Sequence, residues 1–246
     1  MTQLSPASRT AAGTAGMGAP AVGVGVLIAT AVLCAALAMG LRNSAGLFLA
    51  PMTAAHAWTA SGFAFAIALQ VLLNGATQPL WGQLADRYGG RKVIMFGALL
   101  QAAAVTGMAF ADSLPLFTFF AGVVMGIAVS AAGMPIIIAS LTRLLPEEKR
   151  GRATGLGTAG SSFGQFLVVP IVQFAINGQG WQAALLLVAA LSLLMIPLAL
   201  PLNDNPATPM AGPQDERTAR QAVVQALRDP TFWYLSAGAF VCGMHV

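Results

Sequence analysis

The sequence has few charged residues, few histidines and few cysteines. Only 8% of its 246 residues are charged and 57% are hydrophobic, whereas average soluble domains carry about 25% charged residues. A chain of 25.1 kDa with so little charge cannot cover a globule with solvated side chains, which excludes a cytosolic enzyme and a disordered tail. Both cysteines, Cys34 and Cys242, lie within apolar runs, so no disulfide framework is indicated. The remaining class is a protein dissolved mainly in lipid.

Long charge-free runs fill the sequence and predict membrane-spanning helices. About 20 apolar residues cross a hydrocarbon core roughly 30 Å thick, and turn signals at 51–62 and 177–180 divide the two longest runs. Runs of this length favour helices, because barrel strands would alternate over about 10 residues. The predicted spans are 21–48, 62–82, 93–111, 115–140, 153–176 and 181–200, and a seventh begins near Thr231.

The predicted organisation is a six-helix bundle with more polar segments on either side. We expect residues 1–20 to be a flexible cytoplasmic tail, with a cleaved signal peptide as the rival interpretation. Residues 21–200 are the bundle of six transmembrane helices. Residues 201–229 are predicted to form a cytoplasmic linker with a short amphipathic helix. Residues 230–246 are predicted to be a truncated seventh transmembrane helix.

The basic residues are distributed unevenly along this topology. Of the 12 lysines and arginines, 11 fall on one side of the predicted spans, and only Arg42 lies elsewhere. By the positive-inside rule that side is cytoplasmic. The chain is therefore expected to be a multi-pass protein of the plasma or bacterial inner membrane with its amino terminus in the cytoplasm. The net charge of +4 reflects topology, so lipid is an expected partner and nucleic acid is not.

Two motifs of soluble enzymes occur in span five, and neither has its usual context. Residues 155–160 match G-x-G-x-x-G, but no strand precedes them and no acid follows at the required distance. Residues 160–164 match G-x-S-x-G, but both histidines lie outside that span. The glycines of this second motif, like Gly122 and Gly126, are four residues apart, which is typical of closely packed membrane helices. We therefore expect no enzyme, no catalytic residue, no metal site and no cofactor.

The turn between spans two and three combines glycines, one acid and several cations. An acid beside cations at a membrane interface can form a charge network that is made in one conformation and broken in another. The glycines allow tight packing and unusual backbone dihedral angles. The predicted conformational-switch residues are Gly82, Asp86, Arg87, Gly89, Arg91 and Lys92.

This turn resembles the signature of the major facilitator superfamily, G-x-L-x-D-R-x-G-R-[RK]-[RK], with Gly90 at a usually basic position. Residues 146–153 are similar to that family's second conserved cytoplasmic turn. The resemblance implies an all-α polytopic membrane protein, consisting of the six-helix N-terminal bundle of that fold and the start of a seventh helix. It also implies alternating access of two six-helix halves about a midplane site, and hence a missing C-terminal six-helix half as partner.

The resemblance also suggests a substrate class. Residues 40–44, 49–52 and 240–246 resemble bacterial carriers related to monocarboxylate and oxalate/formate transporters, which implies small organic anions as substrates. Drug/proton antiporters of the superfamily instead carry an arginine four residues before a glycine in span four and G-P-x-x-G-G in span five. Gly122 and residues 160–165 depart from both patterns. Outside active transport, the alternatives are a transport-inactive truncated product and an accessory or scaffold membrane protein.

The candidate substrate-binding residues are Arg42, Asn43, Gln70, Asn74 and Gln78. Arg42 is the only charged residue within a predicted span, and such residues usually face a polar cavity. It can pair with a substrate carboxylate or extend its guanidinium to the outer interface. The three amides recur every four residues in span two, which indicates a hydrated cavity or a hydrogen-bonded seam between helices. Since no acid lies within a span, any proton or ion coupling is expected to use the missing half.

Overall fold

The computed structural model describes residues 23–203, 228–230 and 232–234. Six helical rods fill the first of these ranges: α1 (Val24–His56), α2 (Ala60–Tyr88), α3 (Gly90–Ala109), α4 (Leu114–Leu144), α5 (Glu147–Gln179) and α6 (Trp181–Ala199). Each is long and apolar enough to cross a membrane, and the described residues contain no strand. The predicted all-α, six-helix polytopic fold is confirmed.

Three predicted segments lie wholly or mostly outside the described residues. They are the tail at 1–20, the linker with its amphipathic helix at 201–229, and the truncated helix at 230–246. Residues 228–230 and 232–234 belong to a second compact unit. Within it, the rings of Phe232 and Trp233 meet edge to face with their centroids 5.8 Å apart.

Short connections make successive helices of the first unit run in opposite directions. We call the end that contains the turns at 88–91 and 144–147 the basic end, because it carries the arginine and lysine residues. The other end, with turns at 56–60, 109–114 and 179–181, is the opposite end. Several helices extend further at the basic end than the apolar runs predicted, because polar residues can continue a helix beyond the hydrocarbon region.

The first rod is longer than predicted. The sequence indicated an end at residue 48 and a break through Pro51, but α1 passes through a 3₁₀ turn at Ser44–Phe48 and continues as an α-helix over Leu49–His56. Pro51 is the third residue of that last segment, where a helix needs no amide donor. The chain reverses at Ala57, which adopts the left-handed conformation with a φ of 52°.

Rod α4 is interrupted within the bundle. A π-helical stretch at Phe119–Val124 is followed by an α-helix that ends at Ala131, and a new helix runs over Met134–Leu144. The helix breaks at Ala132 and Gly133, just before Pro135. Pro135 then occupies the first turn of the new segment, where its missing amide is harmless.

Helix pairing is dominated by contacts between the first and second halves of the bundle. The most extensive interfaces are α1 with α5, α2 with α4, and α3 with α4. Gly164 lies against the backbone of Ala36, and Gly126 lies against the backbone carbonyl of Gln70. The prediction that the spaced glycines allow close helix approach is therefore confirmed. The two enzyme-like motifs, at 155–160 and 160–164, both lie within the uninterrupted helix α5.

Helices α2 and α5 are the least covered by their neighbours. Only 22% of the most apolar stretch of α2 and 28% of that of α5 are buried, against 56% and 61% for α3 and α4. Large apolar side chains on these faces, such as Leu72, Phe166 and Phe174, are strongly exposed. These faces require lipid or another helical surface as their environment.

An aromatic cluster closes the opposite end. The ring of His56 stacks on Trp58 with centroids 4.4 Å apart and meets Trp181 at 5.4 Å. Trp58 in turn contacts the buried ring of Phe117. The cluster joins the end of α1 to the beginnings of α4 and α6, consistent with the usual place of aromatic residues at a membrane interface.

Candidate functional site

The turn at the basic end between α2 and α3 consists of Gly89 alone. This residue has φ 90° and ψ 141°, and its amide donates to the carbonyl of Ala85 at 3.0 Å. Residues with a side chain rarely adopt this conformation. Gly82 differs, because it lies inside α2 and a Cβ there would have nothing within 4 Å. The predicted unusual backbone angles are present at Gly89, and the predicted tight packing at Gly82 is absent from the described bundle.

Replacing Gly89 with alanine is expected to lower the free energy of unfolding by about 2 kcal/mol, because strained backbone conformations cost of order 1–3 kcal/mol. Gly82→Ala is the matched control, since it adds the same methyl group to a helical position in open space. Both variants can be compared by chemical unfolding of the purified chain in detergent, followed by circular dichroism. Equal stability of the two variants would show that Gly89 is not strained.

Asp86 and Arg143 form a salt bridge that joins the basic ends of α2 and α4. Arg143 also reaches the carbonyl of Ala85, at 3.4 Å. The two partners differ in environment, because the side chain of Arg143 is 9% exposed and that of Asp86 is 65% exposed. The charge pattern of the turn predicted that Asp86 takes part in a charge network. It did not identify Arg143, the partner of Asp86, which lies 57 residues later in the chain.

The other cations of the predicted switch lie close to Asp86 in the sequence. Arg87 lies over the ring of Tyr88, 5.5 Å from its centroid. Arg87 and Lys92 are exposed and Arg91 is partly exposed. Asp86 is the single acid in a turn with three cations. The turn therefore carries an excess of positive charge, which attracts anions.

Arg42 lies close to the middle of helix α1. At 1.5 Å per residue, it is about 27 Å from Val24 and roughly 20 Å from His56. Two residues earlier, Gly40 packs against Gly164 and Val168, which are near the middle of α5. Arg42 is partly exposed. This depth does not favour the alternative in which the guanidinium reaches the outer interface.

The polar stripe of α2, which consists of Gln70, Asn74 and Gln78, has its members in different environments. Gln70 is buried and, with Ser44, supplies the polar groups of a small cavity of about 20 Å³, which is enough for one water molecule. Asn74 is buried, and its Oδ1 has no hydrogen-bond partner in the described part of the chain. Gln78 is exposed. The stripe does not line one cavity, because Gln70 lines the small cavity beside Ser44 and Gln78 lies in a separate crevice nearer the basic end.

Two further buried polar groups were not singled out from the sequence. Gln101 Nε2 on α3 and Ser130 Oγ on α4 are buried without a hydrogen-bond partner among the described residues. Gln101 stands one turn from Gly97, which packs on the break in α4 at Ala132. A glutamine within an otherwise apolar span was the available signal. Asn43 is exposed beside Arg42.

The five substrate candidates thus occupy separate places in the described bundle. Arg42 and Asn43 lie close to the middle of α1, Gln70 lines a small cavity with Ser44, Asn74 is buried on α2, and Gln78 lies nearer the basic end. No group of residues able to hold a metal ion occurs in the described ranges. The candidate residues offer charge and hydrogen bonding to a ligand.

Comparison with known proteins gives consistent matches. A family model of the Major Facilitator Superfamily matches residues 14–246. The chain is 30% identical over 202 residues to monocarboxylate transporter 11 of Mus musculus, covering 80% of this chain and 45% of the relative. It is 26% identical over 226 residues to the oxalate:formate antiporter of Oxalobacter formigenes, covering 85% of this chain and 50% of the relative. The chain spans about half the length of these curated relatives.

The fold has a match among solved structures. The inward-open structure of the xylose transporter XylE from E. coli superposes with a TM-score of 0.65 and 19% identity, covering 76% of this chain and 50% of that one. The likeness shows the fold, and the bundle corresponds to a six-helix half. The relatives quoted are transport proteins by name, so the expectation that the chain is not an enzyme is confirmed. The chain is a multi-pass membrane protein that belongs to the Major Facilitator Superfamily.

Proposed function

We propose that this chain is the N-terminal half of a secondary transporter that moves small organic anions, such as monocarboxylates, by alternating access. The observation that carries the proposal is Arg42, a partly exposed cation near mid-depth in an apolar bundle. A charge at that depth is costly unless it serves a polar cavity. The names of the relatives, which include monocarboxylate transporters and an oxalate:formate antiporter, support the same substrate class.

The proposed partner is a second six-helix half that packs on α2 and α5. The low burial of these helices supports this arrangement. Gly75 on α2, and Gly151 and Gly155 on α5, all have open space where a Cβ would lie. Small residues at membrane helix surfaces allow another helix to approach closely. The lipid bilayer supplies the remaining environment.

We propose that the basic end is cytoplasmic, and with it the amino terminus, in a plasma or bacterial inner membrane. The placement of 11 of the 12 lysines and arginines supports this orientation. The conformational switch proposed for the turn at 82–92 then operates on the cytoplasmic face. There the Asp86–Arg143 salt bridge holds α2 and α4 together, and its opening accompanies the change between outward-open and inward-open states.

Arg42→Gln is expected to reduce monocarboxylate uptake at least tenfold in the twelve-helix protein reconstituted in liposomes. Glutamine keeps hydrogen bonding but removes the charge that pairs with a carboxylate. Arg42→Lys keeps the charge without the two-pronged geometry, so partial uptake is expected. Radiolabelled lactate and oxalate, with equal protein incorporation, give the measurement.

Three other outcomes would contradict the proposal. Uptake by Arg42→Gln equal to the unsubstituted protein would remove Arg42 from the site. No uptake of any organic anion by a folded, complete protein would favour the inactive or scaffold alternative. Uptake of cationic drugs in exchange for protons would favour the antiporter alternative, which the sequence patterns of spans four and five disfavour.

A further inference from the structure

A crevice opens between α2 and α4 on the side of the basic end. Its volume is about 310 Å³, within the range of small-molecule sites. Pro79 on α2 and Pro135, Ile136 and Ala139 on α4 form mainly apolar walls, and the Asp86–Arg143 salt bridge lies at the crevice's basic end. The crevice is separate from Arg42, which does not line it.

Local backbone features keep this crevice open. The second helical segment of α4 begins after the break at Gly133, so α4 changes course where the crevice starts. On the facing side, Gly82 has no side chain to fill the space. Close packing of α2 and α4 occurs nearer the opposite end, where Gly122 and Gly126 lie against α2. The two helices therefore meet closely at one level and leave a groove at the next.

The two partners of the salt bridge differ in burial, which allows another carboxylate to replace that of Asp86. Arg143 is 9% exposed and also contacts the carbonyl of Ala85, so its position is fixed by the bundle. Asp86 is 65% exposed, so its carboxylate can move into water at little cost. A second carboxylate that entered the crevice would meet the guanidinium in the place that Asp86 leaves. The neighbouring cations Arg87, Arg91 and Lys92 favour the approach of an anion.

We propose that this crevice is a second carboxylate subsite, in which the carboxylate of a small organic anion replaces Asp86 on Arg143. The apolar part of the anion lies against Pro79, Ile136 and Ala139. This inference rests on the proposed function, because it takes the same class of substrate. It adds a direct link between substrate and switch: the ligand itself breaks the salt bridge that joins α2 and α4.

Binding of hexanoate to the purified chain in phosphatidylcholine nanodiscs tests the subsite. Isothermal titration calorimetry is expected to detect hexanoate and to detect no binding of hexylammonium, which has the same tail and the opposite charge. Asp86→Asn removes the competing carboxylate and is expected to tighten hexanoate binding about tenfold. Arg143→Gln is expected to abolish it. Unchanged affinity in Asp86→Asn would overturn the exchange.

A second variant tests the subsite while leaving both Asp86 and Arg143 in place, so that a loss of binding cannot be attributed to a broken salt bridge. Ala139→Phe fills the crevice wall and is expected to weaken hexanoate binding at least tenfold. Ala103→Phe, at an exposed position of α3, is the matched control and is expected to bind hexanoate normally. Equal binding by the two phenylalanine variants would overturn the subsite. Circular dichroism confirms that each variant is folded.

Two further arms separate the proposal from its alternatives. Titration in nanodiscs with added phosphatidylglycerol tests whether an anionic lipid occupies the crevice instead, and loss of hexanoate binding there would overturn the substrate assignment. Uptake by the twelve-helix protein distinguishes the two proposals. If uptake requires Arg42 but Ala139→Phe does not weaken hexanoate binding, the subsite is refuted and the proposed function stands. If Ala139→Phe weakens hexanoate binding but the twelve-helix protein takes up no organic anion, the proposed function is refuted and the subsite stands.

Discussion

Gly164→Ala is expected to destabilise the bundle more than any other single methyl addition on α5. A Cβ at this position would overlap the backbone carbonyl and Cα of Ala36 on α1. Backbone atoms cannot move aside as a flexible side chain can, so α1 and α5 would have to separate. Inserted carbon atoms typically cost 1–3 kcal/mol in well-packed interiors, and we expect about 3 kcal/mol here. The α1–α5 interface is among the most extensive in the bundle, so its loss affects the whole unit.

The matched control is Gly155→Ala on the same helix, where a Cβ would have nothing within 4 Å. Both substitutions replace glycine by alanine within one helix, so their intrinsic helix propensities change alike. The difference between them therefore measures helix–helix packing. Unfolding by sodium dodecyl sulfate in mixed micelles, followed by circular dichroism, gives the two free energies. If Gly164→Ala is as stable as Gly155→Ala, close contact at Ala36 does not support the fold.

The second large effect concerns the two partners of the salt bridge. Asp86→Ala is expected to lower the free energy of unfolding by about 2 kcal/mol, because it leaves the largely buried guanidinium of Arg143 without its carboxylate. Arg143→Met is expected to cost less than about 1 kcal/mol. The remaining Asp86 is mostly exposed and stays hydrated, and methionine replaces the apolar stem of arginine. Removing the exposed partner is thus the more damaging change.

A double-mutant cycle with Asp86→Ala, Arg143→Met and the combined variant provides the measurement. The double variant is expected to be more stable than Asp86→Ala alone, because it also removes the largely buried charge of Arg143, which the single change deprives of the Asp86 carboxylate. Equal costs for the two single variants would contradict the asymmetry between their environments. Urea is unsuitable for this comparison in lipid, so the cycle uses the same detergent unfolding as the glycine pair.

Composition and charge placement predicted the fold because lipid imposes few choices on a chain. An apolar run of about 20 residues has to form a helix, and the uneven basic residues indicated how the runs alternate. Boundaries were less accurate where local chemistry decided them. Pro51 indicated a break, but the preceding 3₁₀ turn places it in the first turn of a new helix. The break in α4 fell before Pro135, at Gly133.

The candidate site was only partly predictable. Gly89 could be anticipated, because a one-residue turn between long helices requires an unusual conformation. Arg143 could not, since its contact with Asp86 joins helices 57 residues apart and no local pattern marks it. The amides of α2 were found by their spacing, but spacing does not say which neighbour covers a helix face. Gln70 lines a small cavity with Ser44, Asn74 is buried and Gln78 is exposed, so the three amides do not share one environment.

The pattern of helix pairing has a consequence for how the protein is made. The most extensive partner of α1 is α5, and the most extensive partner of both α2 and α3 is α4. Each of the first three helices therefore finds its main partner in the last three. During synthesis α1 enters the membrane long before α5, and the surface around Ala36 that receives Gly164 stays uncovered in the interval. Assembly of the bundle can be completed only after its last helix, α6, has been inserted.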